Sequence, residues 1–525
     1  MITDTQLETH QDARSSSSHV IVVGGGNAGL VAALAARDQG AQVILLEASS
    51  KETRGGNSRF SGALFRFAHE GRDSLVPLLS DDAQSVAFKV KVGAYSREDY
   101  NSDIQETSRG RTWDSLSRIL IDQSYDTVAW MRDHGVPWEI TIGKFVKDPS
   151  TISEDDPYPI PAGGIVRATG AGIGLVESLY VSAERAGVDI WYDSPVEDLI
   201  LGNGVVLGVT GRRDQQPFEL RGPVVLASGG FEANPEMRAR YLGPGWDLVK
   251  VRGTALNTGH LLQRALAVGA RAVGHWSGCH AAPVDASAPD VGDLAHTDET
   301  ARYSYPYGLL VNVAGQRFVD ESEDHYYKTY AKTGAAIREQ PGGVAFQIFD
   351  QQTLHLLQPR YSTSKPVIAN TIGELAEKLG VDARGLKATV EDFNASVLDS
   401  VPFGPLDLDG RSTAPGIHPR KSNWALRLDL APFVAYPVAC GITFTYGGVG
   451  ITERAEVQRA FGGVIGGLYA TGEISGGFFY HNYPAGSGLM RGAVFGRIAG
   501  REAAARLEAP LAPTALPTSL PAGNS

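Results

Sequence analysis

Apolar residues fall into short unbroken runs near both ends of the chain and into helical spacing in between. His19–Val23 is a short apolar run behind a polar lead and predicts a buried strand. Alanine-rich helical spacing follows from Leu30 to Gln39 and stops at Gly40. Gln42–Leu46 predicts a second strand ending on Glu47. From about Asp81 to Gly135 the pattern is helical and amphipathic, with Trp113, Leu116, Ile119, Trp130 and Met131 as core positions. Gly170–Ala186 predicts another helix, with Gly187 as its stop. Asp189–Leu226 alternates apolar runs with Gly-Asn-Gly and Arg-Arg-Asp turns and reads as a β-meander. It closes on Val224-Val225-Leu226, a buried strand placed beside the first one, which leads into a glycine turn.

The texture changes at about His275, where aromatic residues, His and Pro become denser, and changes back after Cys440. This predicts an inserted domain over 275–440 between two parts of one nucleotide-binding domain, 18–274 and 441–508. Gly463–Gly472 holds a strand of the outer domain and Gly488–Leu507 a strong helix. Residues 1–17 and the Pro- and Ala-rich 509–525 are expected to be disordered tails. Tyr303, Tyr305 and Tyr307 alternate with period two, which suits one face of a sheet, lining either a core or a site.

Between the first strand and the first helix, Gly24-Gly25-Gly26-Asn27-Ala28-Gly29 satisfies G-x-G-x-x-G. Gly24 permits the tight turn, Gly26 lets a pyrophosphate approach the backbone, and Gly29 lets helix and strand pack closely. The helix start faces phosphate charge. Glu47 ends the second strand, where an acid can accept hydrogen bonds from a ribose 2′-OH. Strand, helix, second strand and acid together predict dinucleotide binding, without choosing between FAD and NAD.

The remaining bulk properties narrow the class. With 47 basic and 59 acidic residues the net charge is −12 over 525 residues, which argues against a nucleic-acid partner. Two cysteines, Cys279 and Cys440, are too few for a disulfide framework or an iron–sulfur cluster, and no metal-ligand spacing occurs. Electrons collected by the chain must leave through an external acceptor: a quinone, an electron-transfer protein or oxygen. The polar N-terminus has no apolar signal-peptide core, and no run of roughly 18 or more apolar residues predicts a membrane span. A cytoplasmic enzyme is the expectation.

Several motifs together carry a family resemblance: Gly24–Gly29 with Glu47; Arg54-Gly55-Gly56-Asn57-Ser58; Gly278-Cys279-His280-Ala281; Gly315-Gln316-Arg317-Phe318-Val319-Asp320-Glu321; Gly441 through Gly448; and Gly472-Glu473 through Gly488. In this order, from about residue 19 to 505, the chain resembles the flavoprotein subunits of fumarate reductase and succinate dehydrogenase. That family includes 3-ketosteroid Δ1-dehydrogenases, and the nearest branch is the FAD-dependent tricarballylate dehydrogenases.

The resemblance implies an α/β fold: a discontinuous Rossmann-type FAD-binding domain with an inserted α+β capping domain that closes over a substrate at the flavin. The loop Arg54–Ser61 has no histidine, so non-covalent FAD is expected. The implied cofactor contacts are Gly24, Gly26, Asn27, Ala28 and Gly29; Glu47 and Ala48; Gly56, Asn57, Ser58, Gly62 and Ala63; and Val196. Further along they are Ala227, Ser228, Gly229 and Asn257, then Gly472, Glu473, Ser487, Gly488 and Leu489.

The family's chemistry is the removal, or addition, of two hydrogens on adjacent carbons. One moves as hydride and the other as a proton, which is acidic only beside a carbonyl or carboxylate. The family's proton carrier corresponds to His325, with Tyr326 next to it. A histidine near its normal pKa serves in either direction; a solvated loop residue is the plain alternative. The arginine that clamps a carboxylate in dicarboxylate reductases corresponds to Tyr483, and their histidine before Gly-Gly to Phe444. Both departures weaken the case for a small dicarboxylate. Tyr483 polarises a carbonyl or packs on the flavin. His280 matches a substrate-contacting histidine, or is a core histidine beside Cys279. Tyr446 and Arg491 are further pocket candidates, although Arg491 is expected to cap surface charge. The leading expectation is an FAD-dependent dehydrogenase forming a carbon–carbon double bond next to a carboxyl or keto group of a small acid or ketone. A fumarate-reductase-like ene-reductase, an electron-transfer subunit of a complex and, least, an NAD-dependent oxidoreductase are the alternatives.

Overall fold

The structure is a computed structural model and describes residues 19–142 and 152–508. The two expected tails, and residue 18 of the first domain, lie outside the described residues.

The first strand, β1 (His19–Val23), the first helix, α1 (Asn27–Asp38), and the second strand, β2 (Gln42–Leu46), form where the apolar pattern puts them. β1 pairs in parallel with β2 on one side and with Val224–Leu226 on the other. Asp189–Trp191 adds in parallel outside β2. Val464–Ala470 adds in parallel outside Val224–Leu226, with Glu456–Gln458 as an antiparallel edge. The three central strands, β1, β2 and Val224–Leu226, are dominated by buried Val, Ile and Leu, as a parallel sheet covered on both faces requires.

The expected meander is therefore divided. Its first strand, Asp189–Trp191, joins the parallel sheet, and only Val196–Gly202, Val205–Arg213 and Gln216–Arg221 form the antiparallel unit. Of the expected Arg-Arg-Asp turn, Arg212 and Arg213 end a strand and only Asp214 lies in the turn; all three are exposed, as is Glu154-Asp155-Asp156.

The last helix, Ser487–Glu508, lies against α1. Three glycines four residues apart make this approach possible. A Cβ built on Gly492 would come within 3.2 Å of Ala28 Cβ, on Gly496 within 2.7 Å of Ala28 O, and on Gly500 within 2.1 Å of Ala32 O. The alanines of α1 and the glycines of the last helix thus form one contact face, about 465 residues apart in sequence.

The helical stretch 81–135 is four helices, Asp81–Phe88, Arg97–Ser108, Asp114–Asp122 and Ser124–Asp133. Leu116 and Met131 are buried; Trp113, Ile119 and Trp130 are half-buried against the core. The helix Ala171–Arg185 ends as expected before Gly187, whose φ is +76°.

The middle of the chain builds a second sheet around a 17-residue strand, Phe433–Val449. It pairs antiparallel with Ala272–Asp285, Val344–Phe349 and Val367–Ala369, and in parallel with Lys250–Val251. Leu309–Val311 closes the far edge on Val344–Phe349. A separate apolar core, including Leu309, Phe346, Leu386, Phe393 and Phe433, lies under this sheet. The two longest strands, Ala272–Asp285 and Phe433–Val449, span residues 275 and 440, so each runs without a break across an expected domain boundary. The alternating tyrosines are not a strand: Tyr305–Tyr307 is one turn of 3-10 helix, with Pro306 in its first turn. Proline fixes the backbone for a helix start and withholds the N–H a sheet ladder needs. No helix among the described residues is long and apolar enough to cross a membrane.

Candidate active site

A cavity of about 540 Å³ runs along the C-terminal ends of the parallel strands and under the second sheet. Its size is that of a cofactor or small-molecule site. The glycine-rich turn forms one end. Gly24 has φ +105°, and a Cβ there would meet Ala227 O at 2.4 Å; a Cβ on Gly29 would meet Gly24 O at 1.8 Å. Only glycine fits at either place. Gly24, Gly26, Asn27 and Ala28 line the cavity, whereas Gly29 is spent on the helix–strand contact.

Glu47 and Ala48 line the wall at the end of β2. The buried Glu47 carboxylate accepts from Gly25 N–H (3.1 Å), from Ser49 N–H (2.9 Å) and Ser49 Oγ (3.0 Å), and from Tyr180 OH (3.3 Å). It therefore braces the glycine turn from the neighbouring strand, in addition to facing the cavity.

Gly56, Asn57, Ser58, Gly62 and Ala63 form a second wall, with Val196 nearby. Ser58 Oγ accepts from Asn27 N–H at 2.9 Å, which ties this wall to the first helix turn. Ala227, Ser228, Gly229 and Asn257 line the floor, and Gly472, Glu473, Gly488 and Leu489 close the groove from the C-terminal segment. Ser487 does not reach the cavity; its hydroxyl accepts from Tyr100 OH at 3.0 Å.

These residues fit a bound dinucleotide. Gly26, at the cap position of α1, supplies no side chain to satisfy the first amides of that helix, and such amides hold phosphate charge. Asn27 Oδ1 is buried without a partner, beside the groove, while its Nδ2 donates to Leu489 O at 2.9 Å.

Two carboxyls, the buried Glu232 and the half-buried Glu473, lie together by the floor. Asn57 Nδ2 and Asn257 Nδ2 each donate to Glu232 Oε1 at 2.5 Å, and Asn257 Nδ2 also lies 3.5 Å from Glu473 Oε2. Glu473 Oε1 accepts from Thr445 N–H at 2.7 Å. Burial, reinforced by the facing Glu473, holds the Glu232 carboxyl well above the usual carboxylate range; burial raises Glu473 too, despite its contacts with Thr445 and the charge of Arg491. The pair fits one shared proton.

Aromatic rings gather at the other end, under the second sheet. Tyr326 lines the cavity and stacks on Tyr303 with ring centres 5.6 Å apart. Tyr330 OH donates to Tyr483 Oη at 2.6 Å, and both line the cavity. His280 and Phe444 line it as well, stacked at 5.4 Å. His280 is 1% exposed, and neither ring nitrogen has a partner. Burial, then the Arg252 charge, keeps its pKa well below normal, so it is neutral. Burial pushes the Tyr326 hydroxyl up to about 12, against the pull of Arg360.

His325 is not in this set. It occupies the cap position of the helix Tyr326–Arg338, with its ring against Tyr327 (5.1 Å) and Trp424 (5.4 Å), and it does not line the cavity. The helix start sends the next side chain, Tyr326, inward instead. Tyr446 also falls outside the lining; it is buried behind Phe444 with its hydroxyl unpartnered. Arg491 is not a surface cap. It is 2% exposed, lines the cavity, and lies 4.9 Å over the Phe479 ring. Burial lowers its pKa to about 10, with Glu473 opposing.

Sequence reasoning missed three charged residues here. Arg252, Asp298 and Arg360 line the tyrosine end, with Asp298 between the two guanidiniums. Each comes from a different loop and belongs to no motif, so only their meeting in space marks them.

A family model described as an FAD binding domain matches residues 19–489. The chain belongs to this FAD-binding family. It is an FAD-dependent oxidoreductase. Of its relatives, "Probable fumarate reductase Ifc3" from Shewanella frigidimarina is 29% identical over 92% of this chain and 74% of its own length. A 3-oxosteroid 1-dehydrogenase of Mycolicibacterium smegmatis is 29% identical over 62% of this chain and 60% of its own. The open conformation of a flavocytochrome c3 fumarate reductase superposes with a TM-score of 0.67 at 26% identity, covering 94% of this chain and 79% of that one. Two further relatives are longer, and the chain spans 48% and 49% of their lengths.

Proposed function

We propose that this FAD-binding protein is a dehydrogenase that removes two hydrogens from adjacent carbons, one of them next to a carboxyl or keto group, leaving a carbon–carbon double bond. One observation carries the reading: the hydroxyls of Tyr326, Tyr330 and Tyr483 and the guanidiniums of Arg252, Arg360 and Arg491 converge on one cavity whose other end is built for a dinucleotide. When bound, FAD supplies a two-electron acceptor for hydride.

The chain's own groups supply the rest. A carbon acid next to a carbonyl loses its proton only if the developing oxyanion is held, and arginines or a hydroxyl donor do this in a site closed to water. Because Tyr483 Oη already accepts from Tyr330, its own proton is available to a substrate oxygen. Tyr326 Oη is the proton acceptor; Arg360 lies close enough to draw its pKa down from the level that burial alone would set. The second sheet covers this end and keeps water from the reacting carbons.

The test is anaerobic bleaching of the flavin band by a panel of saturated acids and ketones. One class is expected to bleach it, and a Tyr326→Phe variant with full FAD content to do so at least about 100-fold more slowly. No bleaching by any member, with the FAD intact, overturns the reading. The reverse direction, suggested by the names of the fumarate-reductase relatives, is separated by comparing turnover with an oxidising dye and with reduced viologen. The physiological acceptor on this reading is a quinone, an electron-transfer protein or oxygen.

A further inference from the structure

We propose that Arg252 and Arg360, bridged by Asp298, form a carboxylate-binding site at the tyrosine end of the cavity, and that the substrate is an organic acid rather than a neutral ketone. The inference rests on the dehydrogenase reading and decides between the two substrate classes it leaves open.

The three residues come from separate parts of the second sheet and its approaches. Arg252 follows the short strand Lys250–Val251, Asp298 lies in the turn Thr297–Thr300, and Arg360 lies in the turn Pro359–Thr363. All three line the cavity. Asp298 grips both guanidiniums by one edge: Arg252 Nη2 contacts Oδ1, and Arg360 Nη2 lies 3.0 Å from Oδ2 while its Nη1 donates to the Asp298 carbonyl at 3.1 Å. Arg252 Nη1 donates to Thr443 Oγ1 at 3.1 Å.

This leaves a defined remainder. Two guanidiniums and one carboxylate carry one net positive charge. Arg252 is 8% exposed, and its Nε–H is buried with no partner. The imidazole of His280, on the same cavity, also has neither nitrogen satisfied. A buried guanidinium edge without an acceptor is costly, and the group that satisfies it best is a planar carboxylate, which brings two acceptors and the compensating charge. A neutral ketone supplies one acceptor and leaves the cation uncompensated in a closed cavity. Burial works against the Arg252 charge, but Tyr303 and Asp298 beside it hold its pKa above the ordinary arginine value, so the site stays cationic at every working pH. Tyr326, near Arg360, is then presented to the carbon next to the bound carboxyl.

The test is titration calorimetry on the FAD-loaded, oxidised protein, with succinate and propane-1,2,3-tricarboxylate as probes, each beside its full methyl ester, and with cyclohexanone. At least one acid is expected to bind at least about tenfold more tightly than its ester. Arg252→Gln and Arg360→Gln are each expected to weaken the acid by about tenfold or more and to leave ester affinity and FAD content unchanged. If Arg252→Gln loses FAD, Arg360→Gln decides. Acids that bind no better than their esters, or variants that weaken acid and ester alike, overturn the inference. Acid binding that follows this pattern without flavin bleaching leaves the carboxylate site standing and removes the dehydrogenase reading. Bleaching by ketones, with no preference for acids, does the reverse.

Discussion

At the scale of single residues the protein separates two neighbours that a motif treats as equivalent. His325 caps a helix against Trp424, whereas Tyr326 turns into the cavity and stacks on Tyr303. With the substrate acid or ketone present anaerobically, His325→Ala is expected to change the rate of flavin reduction by less than about threefold, against a loss of at least about 100-fold in Tyr326→Phe; rapid-mixing absorbance measures both. A base whose pKa lies at about 12 is protonated through the neutral range. The reductive rate should therefore rise with pH, by up to about tenfold per unit below that value, and the slope should vanish in Tyr326→Phe. The carboxyl pair gives a second pH test. Glu232 keeps its proton in the fold at pH values where the unfolded chain, with a pKa of about 4.3, has released it. Stability therefore falls as pH rises from that value towards the folded pKa. Glu232→Gln removes the slope: its melting temperature should match the parent at pH 5 and exceed it by about 1–2 °C at pH 8. The glycines of the turn and Glu47 were legible in sequence because local geometry fixes them within 30 residues. Arg252, Asp298 and Arg360 were not, since nothing local distinguishes them from surface charges, and Arg491 was misread for the same reason.

At the scale of elements, close packing carries more of the design than periodicity does. The alanines of α1 and the glycines at 492, 496 and 500 bring two helix backbones together, and the contact also aims Gly488, Leu489 and Arg491 at the groove. A Cβ on Gly500 falls 2.1 Å from a carbonyl oxygen, so the helices must move apart to admit any side chain. Gly500→Val is expected to destabilise the protein by about 1–3 kcal/mol or more and to lower FAD occupancy, read by thermal melting and by the ratio of flavin to protein absorbance. The central parallel strands, His19–Val23, Gln42–Leu46 and Val224–Leu226, could be read from sequence because each is dominated by a contiguous apolar run. The tyrosine stripe at 303–307 could not, because period two occurs equally in a turn when a proline fixes the backbone. Asp189–Trp191 reads as part of a meander because sheet membership is decided by which edge is open, not by the strand's own residues.

At the scale of the whole molecule, the cofactor groove is assembled from segments near residues 25, 57, 228, 257, 472 and 489, while the substrate end comes from residues 252 to 483. A ligand that touches so many separate segments binds only the complete fold, and stabilises it by about 2.7 kcal/mol when present at 100 times its dissociation constant. Stripping FAD with concentrated bromide should lower the melting temperature, and adding FAD back should restore it in a concentration-dependent way. An unchanged melting curve would mean the groove does not hold the cofactor as described. The second sheet falls mostly where the texture of the sequence changes. The expected domain boundaries were not sharp there, because Ala272–Asp285 and Phe433–Val449 each continue through one of them as a single strand.

The helix Ser487–Glu508 has a consequence for biosynthesis. It is translated after every strand of the parallel sheet, yet it supplies one wall of the groove and covers α1. While its residues are still inside the ribosome's exit tunnel, the nascent chain presents the glycine turn with that wall missing. Flavin loading is thus expected to wait until translation has passed this helix.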